Sequence, residues 1–295
     1  MNIGFCEIME EKWMNDRKAR NAEIFKNTNY MYKTNEVLKK AVSDSIDQQK
    51  LILEGNIVEY EVRNNFAGKV VVSGKRTLEA SEVYAKQGKK VCILNFASAT
   101  NPGGGVVHGS SAQEEAICRC STLYPCLNAD VMWDGFYMQH RALDNPLYND
   151  DCIFTPNVIV FKSDTDFPEE LQESEWWNVD VITCAAPNLR RTPSNIMNPC
   201  AGRKKADISY ENLKELLTRR IQRIFHVAVS SGAEVLILGA FGCGAFKNPP
   251  KLVAEVFAEF TEKYRKCFDT IEYAVYYVEH EKENYKAFKH EMKRF

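Results

Sequence analysis

Three consecutive glycines, Gly103 to Gly105, are followed after seven residues by Gln113, Glu114 and Glu115. Glycine lets the backbone adopt positive φ and approach a neighbour closely, so a triple glycine suits a loop that lies flat against a ligand; a plain turn would use the same residues. The acidic pair also has a second reading. Ser111-x-x-Glu114 matches a capping box, and carboxylates in a first helical turn are favoured by the helix dipole. Capping accounts for Glu114, but not for a Gln and two Glu at this distance from a glycine loop. A second loop, Gly239-Ala240-Phe241-Gly242-Cys243-Gly244-Ala245-Phe246, lies between an apolar run and a proline-led helix. Its free N–H groups and the positive end of that helix would cradle a phosphate or diphosphate. It is not a G-x-G-x-x-G fingerprint, and no Gly-Lys-Ser or Gly-Lys-Thr follows, which argues against a P-loop nucleotidase. Phe246 offers an aromatic face to a ribose or base, or packs into the core.

Both loops need strands to hold them. The β-branched run Val70-Val71-Val72, a helix over Arg76 to Gln87 stopped by Gly88, and the run Val91 to Leu94 read as a β-α-β unit that delivers the chain into Asn95 and the first loop. Further strands are expected at Val158 to Phe161 and Val181 to Ala185. A long amphipathic helix follows from Tyr210 to Ser231. Ser209 serves as its N-cap, Leu213, Leu217, Ile221, Ile224 and Ala228 lie along one face, and Gly232 ends it. Val235 to Leu238 leads into the second loop. A helix opened by Pro249 and Pro250, a strand at Tyr273 to Tyr277 and a charged closing helix complete the chain. Ahead of all this, Glu7 to about Gln49 reads as two helices with a break near Thr28-Asn29-Tyr30. Alternating strands and helices imply a largely parallel sheet covered on both faces, with ligands beyond the carboxyl ends of the strands, where both glycine loops fall.

The 295 residues are 45% hydrophobic, enough for one large core, and 38 basic residues against 40 acidic give a net charge of -2. Such a balance supplies no global field toward nucleic acid or an anionic membrane, so an anionic ligand must be held locally. No apolar stretch approaches the roughly 18 residues of a spanning helix, and no secretory leader is expected from the charged N-terminus. Ten cysteines without such a leader point to reduced thiols and a cytoplasmic location. Cys118, Cys120 and Cys126 cluster, but without C-x-x-C pairs or a matching histidine they are read as buried thiols, and no metal or cofactor is expected.

The stretch Asn95 to Leu127, NFASATNPGGGVVHGSSAQEEAICRCSTLYPCL, resembles the signature region of bacterial-type poly(ADP-ribose) glycohydrolases, in which a triple glycine precedes Gln-Glu-Glu by six to eight residues. GAFGCGAF is similar to that family's diphosphate-binding loop. The similarity runs from roughly Gly74 to Phe288. It implies a macrodomain-like three-layer α/β/α sandwich with a mixed, largely parallel sheet, carried by residues 56–295, with residues 1–55 as a helical extension packed on it.

The resemblance also implies roles. Glu115, the last of the triplet, would be the catalytic acid and Glu114 the residue that positions ribose hydroxyls. Gly103, Gly104, Gly105 and Val106 would line the ribose being released, with Asn101 and Gln113 beside it. Phe241, Gly242, Cys243, Gly244 and Ala245 would bind the diphosphate, and Phe246 would pack on the adjoining ribose. Cleavage of a ribose-ribose bond passes through an oxocarbenium-like transition state, with Glu115 first as acid and then as base for water. Helix-dipole and like-charge effects pull its pKa in opposite directions. The expected partners are poly(ADP-ribose) or ADP-ribosylated macromolecules, with ADP-ribose as product and no membrane; direct nucleic-acid binding is not expected but stays open. The alternatives are a hydrolase of mono-ADP-ribosyl conjugates and a non-catalytic reader of ADP-ribose. The basic stretch Leu189 to Lys205 either contacts a polyanion or is a solvated loop.

Overall fold

The computed structural model describes residues 3–62, 65–195 and 198–295, with side chains from residue 16 onward. Two helices lead, α1 (Ile3–Thr34) and α2 (Glu36–Gln48), then strands β1 (Lys50–Ile52) and β2 (Lys69–Ser73), helix α3 (Thr77–Ala85) and strand β3 (Val91–Phe96). Helices α4 (Gln113–Cys120) and α5 (Leu123–Leu127) follow. The short α6 (Asp130–Met132) runs through a π-helical turn into α7 (Met138–Leu143). Strands β4 (Cys152–Val160) and β5 (Trp177–Cys184), helix α8 (Tyr210–Ser230), β6 (Val235–Leu238), α9 (Pro250–Tyr264), β7 (Thr270–Ala274) and α10 (Glu283–Glu291) complete the order.

The seven strands form one sheet in the order β1-β4-β5-β3-β6-β7-β2. From β5 to β2 every neighbouring pair is parallel, while β4 runs antiparallel to both β1 and β5. Successive strand residues point to opposite faces, and both faces here are apolar. Val91 and Ile93 pack on one side with Ile117, Leu123 and Phe136. Cys92 and Leu94 pack on the other with Leu217, Ile221 and Phe257. The helical layers are therefore α3 to α7 on one face and α8 to α10 on the other, as the three-layer expectation requires. Each large apolar side chain so buried contributes about 1.5–3 kcal/mol, which is why β3 and β6, walled on both faces, form rigid supports for the loops that leave them.

Most elements lie where the hydrophobic pattern places them, and three do not. The break expected near Thr28 lies instead at Asn35, whose side chain accepts a hydrogen bond from the Leu38 amide and starts α2. Thr28 is fully buried inside α1, where its hydroxyl donates to the Arg119 carbonyl. A polar residue that reads locally as a breaker is thus a tertiary anchor. The last strand spans Thr270–Ala274 rather than Tyr273 to Tyr277. Its acidic Glu272 disguises the pattern: it is buried in the sheet and accepts from Ser73 Oγ and Tyr84 OH, both at 2.6 Å. Finally, β1 pairs with β4 inside the stretch read as a helical extension.

Helix α1 is fastened to the core at several points. Asn21 donates to the Gly109 carbonyl at 3.1 Å. The Lys162 ammonium, buried beneath the helix, donates to the Ile24 carbonyl at 3.2 Å and to Asn27 Oδ1, and burial pushes its pKa down to about 8. Gly109 and Gly88 share left-handed backbone, φ +75° and +78°, but differ in surroundings: an added Cβ would lie 1.9 Å from the Lys18 carbonyl oxygen at Gly109 and meet nothing within 4 Å at Gly88. Gly88→Ala is therefore expected to cost about 1–2 kcal/mol for its backbone conformation. Gly109→Ala should cost about 2–4 kcal/mol, because α1 must also shift. Urea unfolding measures both, and equal losses would show that α1 is not held against this loop.

Candidate active site

Helix α4 starts directly after the first glycine loop, and its first turn carries the Gln-Glu-Glu triplet. The N-cap is Ala112, without a side-chain cap, so the capping box expected from Ser111 and Glu114 is absent. Glu114 turns inward instead. Its Oε2 accepts from the Ser98 amide at 2.7 Å and its Oε1 from Asn95 Nδ2 at 3.3 Å, so it pins the turn that leaves β3. Gln113 is equally committed: its Oε1 accepts from the Phe96 amide at 2.8 Å, and its Nε2 donates to the Leu94 carbonyl at 2.7 Å and Thr77 Oγ1 at 3.0 Å. Its side-chain amide, expected to contact substrate, is taken up in locking α4 to β3.

Glu115 lies beneath the triple glycine. Its Oε1 accepts from the Gly105 amide at 2.9 Å, and its Oε2 is buried without a hydrogen-bond partner among the described residues. The fit is tight enough to require glycine at position 104, where φ is +59° and an added Cβ would lie 2.6 Å from Glu115 Oε1 and 3.1 Å from Glu114 Oε2. Both carboxyls are nearly sealed, with Glu114 3% and Glu115 8% exposed. Burial therefore dominates their acidity. It raises the Glu115 pKa above the ordinary glutamate value against the Gly105 amide and the Arg119 charge, which lower it. Burial, and then the Glu115 charge, drive Glu114 still higher. The helix-dipole effect expected to depress Glu115 is outweighed.

The second loop is built the opposite way, with donors left open. Gly242 has φ +72°, and an added Cβ there would meet Ala186 Cβ at 2.4 Å and Asn248 Nδ2 at 2.6 Å. Asn248 staples the turn by donating from Nδ2 to the Pro187 carbonyl at 2.7 Å and the Gly242 carbonyl at 3.1 Å. The amides of Gly244, Ala245 and Phe246 find no protein acceptor among the described residues. Cys243 is buried, its thiol directed at the Phe241 carbonyl and its pKa pushed up to about 12 by burial, so it offers backbone rather than sulfur chemistry.

A cavity of about 560 Å³ runs between these parts, a size suited to a nucleotide. Gln113, Gly242, Gly244, Ala245 and Phe246 border it, together with Phe96, Ala112 and Ala116. Phe241 does not: it is fully buried, edge-to-face with Phe96, and its expected ligand contact is corrected to a core role under the cavity wall. Val106 is likewise fully buried. Glu115, Glu114, Asn101 and Gly103 to Gly105 are not among the residues that line it. Asn101 is gripped by Arg141, whose Nη2 donates to its Oδ1 while Nε donates to the Thr100 carbonyl at 2.7 Å.

Several site residues escape sequence reasoning. Arg119 borders the cavity and is buried; it donates to the Ser110 carbonyl, with Nε left without a partner among the described residues. Its spacing of four from Glu115 was the available signal, but that spacing commonly marks an ordinary helical ion pair. Arg17 and Asn21 of α1, and Arg76 and Tyr276, whose guanidinium and ring lie 4.3 Å apart, complete other parts of the wall. Cys118, Cys120 and Cys126 are buried thiols, and the described residues hold no cluster of three or more His, Cys, Asp or Glu that could bind a metal. Among those residues, too, no helix is long and apolar enough to cross a membrane.

Comparison with known proteins converges on one family. The sequence model described as microbial-type PARG, catalytic domain, matches residues 19–163. A search of curated proteins returns no match. Among solved structures, the poly(ADP-ribose) glycohydrolase of Thermomonospora curvata bound to the inhibitor ADP-HPD is 28% identical, with TM-score 0.74, over 93% of this chain and 99% of that one. The same bacterium's enzyme in a second structure gives 27% and 0.76 over 92% and 99%. The Deinococcus radiodurans enzyme in complex with ADP-ribose gives 27% and 0.73 over 86% and 97%.

The buried Glu115 makes a prediction that needs no substrate. Because its folded-state pKa is raised, its contribution to stability is full below the unfolded value of about 4.3 and is lost as pH rises through the folded value, at about 1.4 kcal/mol per tenfold gain in proton affinity. Glutamine keeps an acceptor for the Gly105 amide and does not ionise. Glu115→Gln should therefore gain on the wild type in thermal melts as pH rises above the unfolded-state glutamate value of about 4.3, and a difference independent of pH would mean that the carboxyl titrates normally.

Proposed function

Since the chain is a poly(ADP-ribose) glycohydrolase of the bacterial type, as its matched sequence model and whole-chain fold indicate, we propose that it binds an ADP-ribose unit along the cavity and cleaves the ribose-ribose bond at the Glu115 end. The diphosphate would take the open amides of Gly244 to Phe246, where Asn248 holds the turn in shape. The ring of Phe246, tilted against Tyr148 at 6.2 Å, would back the adjoining ribose. Tyr276 and Phe96 offer aromatic surface at the cavity wall for the adenosine.

The observation that carries this reading is the single unpartnered oxygen of Glu115. A buried polar atom left without a partner costs about 1–3 kcal/mol, so such atoms mark sites completed by something else. Here Oε1 is fixed by Gly105 and Oε2 is left without a partner among the described residues. Burial keeps the carboxyl protonated more readily than an exposed glutamate. It would donate that proton to the departing ribose oxygen as the C1–O bond breaks, leaving an oxocarbenium-like sugar. The resulting carboxylate would take a proton from the incoming water as the new C–O bond forms, which restores the acid. Glu114, engaged by Asn95 and Ser98, would hold the turn beside the sugar. A non-catalytic reader of ADP-ribose has no use for an acid held this way. The nine free thiols among the described residues suit a reducing location such as the cytoplasm.

Two substitutions separate chemistry from binding. Glu115→Gln should lower turnover of poly(ADP-ribose) by about 10²- to 10⁴-fold while leaving calorimetric ADP-ribose affinity within a few-fold. Near-normal shortening of the polymer by that variant would remove Glu115 from the chemistry. Gly242→Ala forces a side chain into Ala186 and Asn248 and should instead abolish detectable ADP-ribose binding, whereas unchanged affinity would move the diphosphate elsewhere.

A further inference from the structure

Residues 189–205 carry five cations, Arg190, Arg191, Arg203, Lys204 and Lys205, and no carboxylate, in a chain whose net charge is -2. Within this stretch none of the described residues borders the cavity. The two arms 189–195 and 198–205 nevertheless touch both glycine loops. The Leu189 amide donates to the Phe246 carbonyl at 2.9 Å. Asn198 Oδ1 accepts from Thr100 Oγ1 and from Asn101 Nδ2 at 3.3 Å, at the turn whose Asn101 carbonyl accepts from the Gly104 amide. The arms are also well built: Ser194 Oγ donates to the Gly202 carbonyl at 2.8 Å, and Gly202, at φ +110°, packs against Pro146 so closely that an added Cβ would sit 2.7 Å from its Cδ.

Of the five cations only Arg203 is paired, with Asp144 at 3.0 Å. Arg190, Arg191, Lys204 and Lys205 have no carboxylate partner among the described residues, and the last three are exposed. An ordered scaffold bonded to both glycine loops therefore carries four cations without a carboxylate partner among the described residues, and none of the four borders the nucleotide cavity. Its Asn198 is bonded to the turn that leads into the triple glycine over Glu115, so this scaffold is the positive surface that adjoins the first loop. If the leaving group is another ADP-ribose unit it carries a diphosphate, which guanidinium forks and ammonium groups bind well. An uncharged leaving group would gain nothing there.

We propose that Arg190, Arg191, Lys204 and Lys205 form a second anion subsite that grips the phosphates of the unit beyond the scissile bond, and so set a preference for polymer over conjugates with small uncharged leaving groups. The inference rests on the glycohydrolase reading above. Its test compares wild type with a variant in which all four are replaced by glutamine, on poly(ADP-ribose) and on a nitrophenyl glycoside of ADP-ribose. At low salt the variant's kcat/KM on polymer should fall at least about tenfold, with a flatter salt dependence, as expected when several phosphate contacts are lost. Its kcat/KM on the glycoside should not change, and replacing Lys204 and Lys205 by arginine instead should preserve polymer cleavage. An unchanged polymer rate identifies a solvated loop and overturns the proposal, as does an equal fall on both substrates, which identifies a folding role. Competition by a single-stranded oligonucleotide as strong as by an equal phosphate concentration of polymer would also overturn it, in favour of nucleic-acid binding. If the wild type cleaves neither substrate, the glycohydrolase reading fails; the subsite is then decided by whether the four glutamines weaken polymer binding, relative to ADP-ribose binding, in a Glu115→Gln background.

Discussion

One hydrogen bond, from the Gly105 amide to Glu115 Oε1, sets the packing of the triple glycine against helix α4. It requires backbone and carboxyl to approach within a distance that no side chain on Gly104 would allow, so the triple glycine follows from geometry rather than from any need for a supple loop. The neighbours meet the same demand. Ser110 crowds the position where a Gly105 side chain would sit, and Arg119 holds the Ser110 carbonyl. Tyr124 and Cys118 fill the space against Gly103. The carboxyl is thus set by a shell of close contacts, each of which makes the next unavoidable.

The two glycine loops apply opposite rules of hydrogen-bond satisfaction. Around Glu114 and Gln113 nearly every polar group is matched within the protein, because these side chains must tie α4 to the end of β3 without help from solvent. Around Gly244 to Phe246 the amides are held in place and left unmatched. Rigid support with open donors suits an anion whose own oxygens complete the set. One half of the site is therefore finished in the free protein, and the other is finished by the ligand. The raised pKa values of both glutamates reflect this division, since folding removes two adjacent carboxyls from water.

Much of this was legible in the sequence because its signals were local. Ser209 caps α8 as its residue type suggests, and Leu213, Leu217 and Ile221 are buried at the expected helical spacing. Val91 to Leu94 and Val235 to Leu238 announce two-sided strands by unbroken apolar runs. The misreadings share a physical cause: polar residues whose partners are distant in the chain. Thr28 reads as a helix breaker until Arg119 supplies its acceptor. Glu272 hides the start of β7 because its partners, Ser73 and Tyr84, lie far away in sequence. Gln113 borders the cavity as its place in the triplet suggests, but its bonds to Leu94 and Thr77 could not be read from the sequence. Phe241 and Phe246 are the same residue type five positions apart, and only the packing of Phe96 on Phe241 tells which faces the cavity. Asn248, Arg141 and Arg119 carried no motif at all.

The long first helix looks peripheral in sequence, yet its contacts fall on the glycine loop and on the helix that bears Glu115. Asn21 meets the end of the glycine loop, and Thr28 the last turn of the helix that bears Glu115. Asn27 and Ile24 hold the ammonium of Lys162, just past the end of the neighbouring strand. A protein trimmed to its sandwich would keep both glycine loops but lose the brace behind them, and with it Arg17 and Asn21 from the cavity wall. Insertions or losses in the leading segment would therefore disturb the seat of a carboxyl almost a hundred residues further on.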